Sequence, residues 1–138
     1  MTVAISKRIG FIGAGRMAQA LASGFVGAEL TAARNILAAD PSPESSQAFQ
    51  AAVPGAGIVE GNQQVLDGAD IVFLAVKPQY LEAAAAQLDT SKFQGTFVSI
   101  VAGVPIARLS ALLACDCVVR VMPNTPALVG QCAAGFTA

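Results

Sequence analysis

Small residues follow the first apolar run of the chain at a spacing that suits phosphate binding. The run from Arg8 to Ile12 ends at Gly13, and the next two small residues of the pattern are Gly15 and Ala18. Gly13 permits a sharp turn, Gly15 lets a pyrophosphate approach the backbone, and Ala18 keeps the following helix close to the sheet. Free N–H groups at the helix start would face the phosphates. The pattern predicts a dinucleotide site, with an ordinary glycine-rich turn as the alternative.

An acidic residue follows the next apolar run. Residues 36–39 are predicted to form the second strand, which ends at Asp40, close to the offset of roughly 20 residues that a dinucleotide-binding pattern expects. The Asp40 carboxylate would accept hydrogen bonds from the ribose hydroxyls of NADH and repel the 2′-phosphate of NADPH. Two alternatives stay open: Asp40 caps the following helix, or Arg34, Ser42 and Ser45 bind a 2′-phosphate. The cofactor is therefore NADPH or NADH, with a slight preference for NADH.

Alternating strands and helices must position these residues. Apolar runs predict strands at 8–12, 36–39, 58–59, 70–76, 96–101, 117–122 and 132–136. Helical patterns between them begin at the glycine turn, near Ser42, at Asn62, at Pro78 and at Ile106. The alternation predicts an α/β fold, namely a doubly wound Rossmann-type, mostly parallel sheet with helices on both faces. The continuous apolar run after Asp70 is typical of a strand buried on both faces.

Ligands in such sheets bind at the carboxyl ends of the strands. Five loops that carry notable residues fall at predicted strand ends: 13–15, Asp40, 76–78, 102–103 and 122–125. Because parallel strands end at one edge, we expect these loops to converge on a single crevice. This convergence is stronger evidence for a ligand site than any one motif.

Composition limits the class of protein and its partners. The 138 residues are 54% hydrophobic and 12% charged, which predicts one domain with a large core and some apolar surface covered by another domain or subunit. A net charge of −1 and the lack of a basic run give no electrostatic basis for nucleic-acid binding. No apolar stretch has the length of a membrane span. We therefore expect a cytoplasmic protein with no nucleic-acid or membrane partner.

The chain lacks histidine, which excludes Ser-His-Asp, Cys-His and histidine-ligated metal chemistry within it. Its cysteines, Cys115, Cys117 and Cys132, form no CxxC pattern. They are predicted to be small buried residues rather than zinc ligands or a structural disulfide. The sequence therefore predicts no metal site.

Several segments together resemble one enzyme family. They are the glycine turn, Ala75-Val-Lys-Pro78, Ala102-Gly103 and above all Val119-Arg-Val-Met-Pro-Asn-Thr-Pro-Ala127. The chain resembles pyrroline-5-carboxylate reductase over essentially its whole length, with Met122-Pro-Asn-Thr-Pro126 as the most specific segment. That family is an NAD(P)H-dependent oxidoreductase acting on CH–NH groups: it reduces the cyclic imine 1-pyrroline-5-carboxylate to L-proline in proline biosynthesis.

The resemblance implies a division of labour. In that family, a helical domain follows the cofactor domain, forms the dimer and supplies much of the substrate pocket. Residues 1–138 are accordingly expected to be the dinucleotide-binding domain alone and to be inactive by themselves. Full-length members of the family are homo-oligomers, and the oligomeric state of this chain stays open. Two other hypotheses stay open: a module that senses the NADH/NAD⁺ ratio without catalysis, and another Rossmann dehydrogenase of the β-hydroxyacid or deazaflavin-linked type. The latter would not be expected to carry Met122-Pro-Asn-Thr-Pro126.

The expected cofactor contacts combine the motifs with the resemblance. They are Ile12, Gly13, Ala14, Gly15, Arg16, Met17, Asp40, Pro41, Asn62, Ala75, Val76, Lys77, Pro78, Ala102, Gly103, Asn124 and Thr125. Alternatives stay open at four places: Asn62 as a helix cap, Lys77 as a solvated charge, 102–103 as a plain turn, and 124–125 as loop formers. No catalytic residue can be named, because hydride transfer to a protonated imine needs orientation and exclusion of water more than an acid–base pair. The resemblance implies that the hydroxyl near the ring nitrogen comes from the second domain.

Overall fold

The computed structural model describes residues 6–122 and 135–137. Strands β1 to β7 are Ile9–Ile12, Ile36–Ala39, Gly57–Ile58, Ile71–Leu74, Thr96–Ser99, Val118–Met122 and Gly135–Thr137. Helices α1 to α5 are Arg16–Gly27, Pro43–Ala52, Asn62–Gly68, Leu81–Ala86 and Ile106–Leu113. Short 3₁₀ turns precede β2 and α4, at Ala33–Asn35 and Pro78–Tyr80.

All seven strands form one sheet in the order β3-β2-β1-β4-β5-β6-β7. Neighbouring strands are parallel except β7, which runs antiparallel to β6. The predicted doubly wound, mostly parallel sheet is therefore confirmed. Ile12 is in register with Ala39 of β2 and Leu74 of β4. The three strands consequently end level with one another, and the residue after each lies at the same edge.

Helices cover the sheet from two sides because strand residues alternate between its faces. Ile9 and Phe11 of β1 pack on one side with Ala18 and Ala22 of α1. Ile12 faces the other side, where α3, α4 and α5 contribute their leucines and valines. Ala18 is only 1% exposed, so the prediction that a small side chain lets α1 approach the sheet is confirmed.

The second half of the sheet is covered less completely. Val72 and Leu74 of β4 are buried, but Ile71 and Phe73 on its other face are only partly buried. The prediction of a strand over 70–76 buried on both faces is therefore wrong in length and in burial. On the less covered face, the Phe73 ring packs against the ring of Phe11 on β1, with centroids 5.0 Å apart, and against that of Phe25 on α1, with centroids 5.6 Å apart. This partly exposed apolar face agrees with the expectation that another domain or subunit covers some of the surface.

Three local predictions also change. β3 begins at Gly57 and ends at Ile58, one residue earlier than predicted. Cys117 is exposed and Cys115 is partly buried, so the prediction of buried cysteines is wrong for Cys117. It precedes β6, which begins at Val118, and so lies in the connecting turn; Cys132 lies outside the described residues.

Residues 6–122 and 135–137 contain neither a cluster of metal ligands nor a membrane-spanning helix. No group of three or more His, Cys, Asp or Glu side chains that could hold a metal ion is found there. No helix in the same part of the chain has the length and hydropathy needed to span a membrane.

Replacing Gly10 with alanine should destabilise the domain. A Cβ on Gly10 would lie 2.5 Å from Val65 Cγ1 and 3.0 Å from Ala69 Cβ, and Val65 is fully buried. Overpacking of this kind costs about 1–3 kcal/mol of the free energy of unfolding, measurable by urea denaturation. The matched control is Gly24→Ala, where a Cβ on helix α1 would meet nothing within 4 Å. A Gly10→Ala variant as stable as the Gly24→Ala control would contradict the close packing of α3 on β1.

Candidate functional site

The turn after β1 requires glycine at its first position. Gly13 has φ +100°, and a Cβ there would lie 2.6 Å from the carbonyl oxygen of Ala75. Ala75 follows β4, the strand that pairs with β1, and its N–H donates to Ile12 O at 2.8 Å. The predicted role of Gly13 in a sharp turn is confirmed, with a close approach to the neighbouring strand as a second reason for glycine.

The N-terminus of α1 opens towards solvent beside this turn. Gly15 is the N-cap residue and no side chain caps the helix. The N–H groups of the first helical turn, which begins with Arg16 and Met17, have no intrahelical partner. A Cβ on Gly15 would meet nothing within 4 Å. The space beside Gly15 is therefore free for a group that accepts hydrogen bonds from these N–H groups.

Two of the expected contacts in this loop face inward. The side chains of Ile12 and Ala14 are fully buried. The N–H of Gly13 donates to Ala39 O at 2.9 Å, and that of Ala14 donates to Asp40 Oδ2 at 2.9 Å. These two N–H groups hold the loop together, which leaves the N–H groups of residues 15–17 as the donors available to a ligand.

Asp40 joins the glycine turn to the loop after β2. Its Oδ2 accepts the Ala14 N–H, and its Oδ1 accepts the Ser42 N–H at 2.8 Å. The alternative that Asp40 caps α2 is wrong, because the Ser42 side chain is the N-cap and accepts the Ser45 N–H at 3.3 Å. Each carboxylate oxygen retains a second lone pair, and Asp40 is partly exposed. The carboxylate can therefore position the loop and still accept a hydrogen bond from a ligand hydroxyl.

A cleft of about 810 Å³ runs along the carboxyl ends of the strands. The expected contacts that line it are Gly13, Gly15, Asp40, Pro41, Asn62, Ala75, Val76 and Lys77. The structure adds Ala39, Ser42, Ser45, Glu60, Gly61, Tyr80, Ala83, Ala84 and Gln87. Four of the five predicted loops fall in the described residues, and three of them meet in this cleft.

Five other expected contacts within the described residues do not line the cleft. Ala102 and Gly103 form an exposed turn after β5, and the cleft does not include them. β5 lies one strand beyond β4, whereas the cleft extends from the β1–β4 junction towards β2 and β3. Arg16, Met17 and Pro78 are also absent from the cleft lining, and Asn124 and Thr125 lie outside the described residues.

One wall of the cleft is fixed by side-chain amides. Asn62 is not a helix cap: Gly61 is the N-cap of α3, without a side-chain cap bond. Asn62 Nδ2 instead donates to Gln87 Oε1 at 3.2 Å, which joins the start of α3 to the end of α4. Gln63 Oε1 accepts the Asp89 N–H at 2.7 Å, and its Nε2 donates to Asp89 O at 3.3 Å. No local pattern in the sequence could have indicated these pairs, since their members lie far apart along the chain.

A second cavity, of about 660 Å³, lies at the opposite edge of the sheet. Its lining mixes charges of both signs, including Lys7, Asp70, Asp89 and Lys92. The hydroxyl and the backbone N–H of Ser91 hold the pKa of Asp89 below its ordinary value. None of the expected cofactor contacts lies there. Ligands of doubly wound sheets bind at the carboxyl edge, so the first cleft is the candidate site.

A family model described as "NADP oxidoreductase coenzyme F420-dependent" matches residues 8–103. The chain belongs to this family. The match runs from β1 to the turn after β5 and so contains the glycine turn, Asp40 and the whole lining of the cleft.

Similarity to known proteins extends further along the chain. This chain is 44% identical to pyrroline-5-carboxylate reductase of Pseudomonas aeruginosa over 135 residues, which cover 96% of this chain and 49% of that protein. The structure of the Coxiella burnetii pyrroline-5-carboxylate reductase is similar, with a TM-score of 0.85 and 27% identity over 96% of this chain and 49% of that one. The structure of the Plasmodium falciparum pyrroline carboxylate reductase with NADP bound is also similar, with a TM-score of 0.83 and 26% identity over 97% of this chain and 48% of that one. The resemblance to this enzyme family is confirmed. The chain spans about half the length of the curated relatives it matches.

Proposed function

We propose that this chain is the dinucleotide-binding half of a pyrroline-5-carboxylate reductase. The observation that carries the proposal is the open N-terminus of α1 beside Asp40, at the point of the sheet where the strand order reverses, in a chain 44% identical to such a reductase. Ligands of doubly wound sheets bind at this point. A dinucleotide fits the cleft because backbone donors and a hydroxyl acceptor lie along it.

The chain's own residues hold and orient the cofactor in this proposal. N–H groups of residues 15–17 bind the pyrophosphate at the positive end of the α1 dipole. Asp40 accepts hydrogen bonds from hydroxyls of the adenine ribose, and the backbone of residues 75–77 lines the cleft beside the phosphates. Ala102, Gly103, Asn124 and Thr125 are proposed to approach the nicotinamide end. A bound NAD(P)H would supply the hydride for the carbon of a protonated imine, whose C=N bond becomes the C–N bond of an amine.

Two kinds of observation bear on cofactor preference, and they point in opposite directions. The Plasmodium falciparum protein is described with NADP bound, and the family description names NADP. Against this, the negative charge of Asp40 would face a 2′-phosphate. We infer that this chain uses NADH or NADPH, with the carboxylate favouring NADH.

The remaining elements of the proposal concern the full-length protein. We infer a cytoplasmic, homo-oligomeric reductase whose substrate is a small imine and whose helical domain follows residue 138. The partly exposed apolar face of β4 supports a covering domain or subunit. Neither nucleic acid nor membrane enters the proposal.

A second candidate function is hydride transfer between NADP and a deazaflavin. The description of the matching family as coenzyme F420-dependent favours it, because coenzyme F420 is a deazaflavin. Both candidates use the same dinucleotide cleft and differ in the second substrate. A sensing module would bind the dinucleotide but would reduce neither the imine nor the deazaflavin.

A chimera that joins residues 1–138 to the C-terminal half of the Pseudomonas aeruginosa relative can distinguish these three functions: imine reduction, deazaflavin reduction and sensing without catalysis. We expect oxidation of NADH or NADPH that depends on added 1-pyrroline-5-carboxylate and none that depends on coenzyme F420. The intact relative is the positive control, and a Gly15→Ala chimera is the negative control. A folded, dinucleotide-binding chimera that oxidises NAD(P)H only with F420 would favour the second candidate, and one inactive with both would contradict the proposal.

A further inference from the structure

Tyr80 is the one large hydrophobic side chain that is strongly exposed within residues 6–121, with 59% of its surface accessible. It lies on the wall of the cleft rather than on an outer surface. The 3₁₀ turn that begins at Pro78 holds its backbone, and the Tyr80 N–H donates to Lys77 O at 2.9 Å. An exposed aromatic ring on a fixed backbone inside a ligand cleft needs an explanation, because burial of such a ring is favourable.

The residues beside Tyr80 leave room next to its ring. Tyr80, Ala83, Ala84 and Gln87 all line the cleft, at the i, i+3, i+4 and i+7 positions that share one face of a helix. The two central positions carry only methyl groups. The Tyr80 ring and the Gln87 amide therefore flank a shallow recess at α4.

The polar groups around the recess suit a purine. The amides of Asn62 and Gln87 meet at 3.2 Å, and a side-chain amide of this kind has both donor and acceptor capacity beyond a single bond. The same cleft continues to Asp40 and Gly15. A molecule with its pyrophosphate at α1 and its ribose at Asp40 would therefore extend its base towards this recess.

We propose that Tyr80 is the stacking residue for the adenine ring of the bound dinucleotide, with the Asn62–Gln87 amide pair beside the edge of the base. The proposal rests on the proposed dinucleotide site and assigns its adenine end. It implies that much of the affinity resides in the adenosine half, so that ADP-ribose binds this chain without a nicotinamide ring.

The sequence makes this test unusually direct, because Tyr80 is the chain's sole tyrosine and the chain has no tryptophan. Tyrosine emission therefore reports on this one side chain. We expect ADP-ribose to quench it saturably and nicotinamide mononucleotide to leave it unchanged at the same concentrations.

Calorimetric titration of ADP-ribose into three variants measures the contribution of the ring. Tyr80→Ala should weaken binding roughly 5- to 150-fold, the range for loss of a base–aromatic stack, and Tyr80→Phe should retain most of the affinity. The matched control is Gln79→Ala, an exposed neighbour in the same turn that does not line the cleft. Circular dichroism confirms that each variant is folded.

The outcomes separate this role from the dinucleotide site itself. If wild type binds ADP-ribose and Tyr80→Ala binds it equally well, the stacking role is overturned and the dinucleotide site stands. If the folded wild-type chain binds neither ADP-ribose nor NAD(P)H, the site is overturned and the role of Tyr80 falls with it. Equal quenching by nicotinamide mononucleotide would mean that the nicotinamide end of the cofactor also binds at Tyr80, and it would overturn the assignment of Tyr80 to adenine.

Discussion

Replacing Gly13 with alanine should destabilise the domain, whereas replacing Gly15 with alanine should weaken cofactor binding in a protein that stays stable. At Gly13, the positive φ of +100° and a Cβ 2.6 Å from Ala75 O combine backbone strain with a clash against main chain that cannot give way. We expect a loss of about 2–4 kcal/mol in the free energy of unfolding.

Gly15 differs from Gly13 in both respects. Its φ of −76° is accessible to any residue, and a Cβ would meet no atom of the protein within 4 Å. The loss of stability should stay below about 1 kcal/mol. The added methyl group would instead occupy the space of a phosphate, and losing one charge-assisted hydrogen bond weakens binding roughly 10- to 100-fold.

Urea denaturation and calorimetric titration with NADH, run on both variants, test the pair of expectations. Gly24→Ala is the control, because that glycine also has open space but lies on α1 away from the cleft. Unchanged NADH affinity in Gly15→Ala would remove the glycine turn from the binding site. Unchanged stability in Gly13→Ala would contradict the close contact between the turn and β4.

Asp40→Asn should change which dinucleotide the chain prefers. The asparagine can accept only one of the two backbone N–H groups now bound by the carboxylate, and it no longer offers a charged acceptor to the ribose. We expect NADH affinity to fall roughly 10- to 100-fold. NADPH affinity should hold or rise, because a negative charge facing the 2′-phosphate is removed.

Glu44→Gln is the matched control for Asp40→Asn. It removes one negative charge from the first turn of α2, the helix that follows Asp40, at an exposed position that does not line the cleft. It should leave the ratio of NADH to NADPH affinity unchanged. If Asp40→Asn weakens both dinucleotides equally, Asp40 acts only by positioning the glycine turn and does not select the cofactor.

The sheet and much of the site could be predicted because their determinants are local. Gly13 and Gly15 mark a strand–turn–helix junction by their spacing alone, and apolar runs separated by helical patterns indicate parallel strands that end at one edge. Pro105 and Ile106 likewise mark the start of α5 correctly. Burial of the β4 face could not be predicted in this way, because it depends on which helices reach Phe73.

Long-range polar contacts were the part that sequence patterns could not indicate. The bond from the Ala14 N–H to Asp40 and the Asn62–Gln87 pair each join residues from separate loops. Which loops meet depends on the order and register of the strands, and these are determined only in the folded sheet. The sequence could not indicate a role for Tyr80 for a related reason: its place in the cleft beside Ala83 and Ala84 is a property of the folded chain.

We propose that the carboxyl-edge cleft binds a nicotinamide dinucleotide through the residues around the glycine turn. The most direct test is titration of the ¹⁵N-labelled chain with NADH, followed by residue-resolved amide NMR. We predict saturable shifts at Gly15, Arg16 and Met17, at Asp40 and Ser42, and at the amides of 75–77. Shifts confined to Asp70 and the 92–96 segment at the opposite edge, or no shifts at all in the folded chain, would contradict the claim.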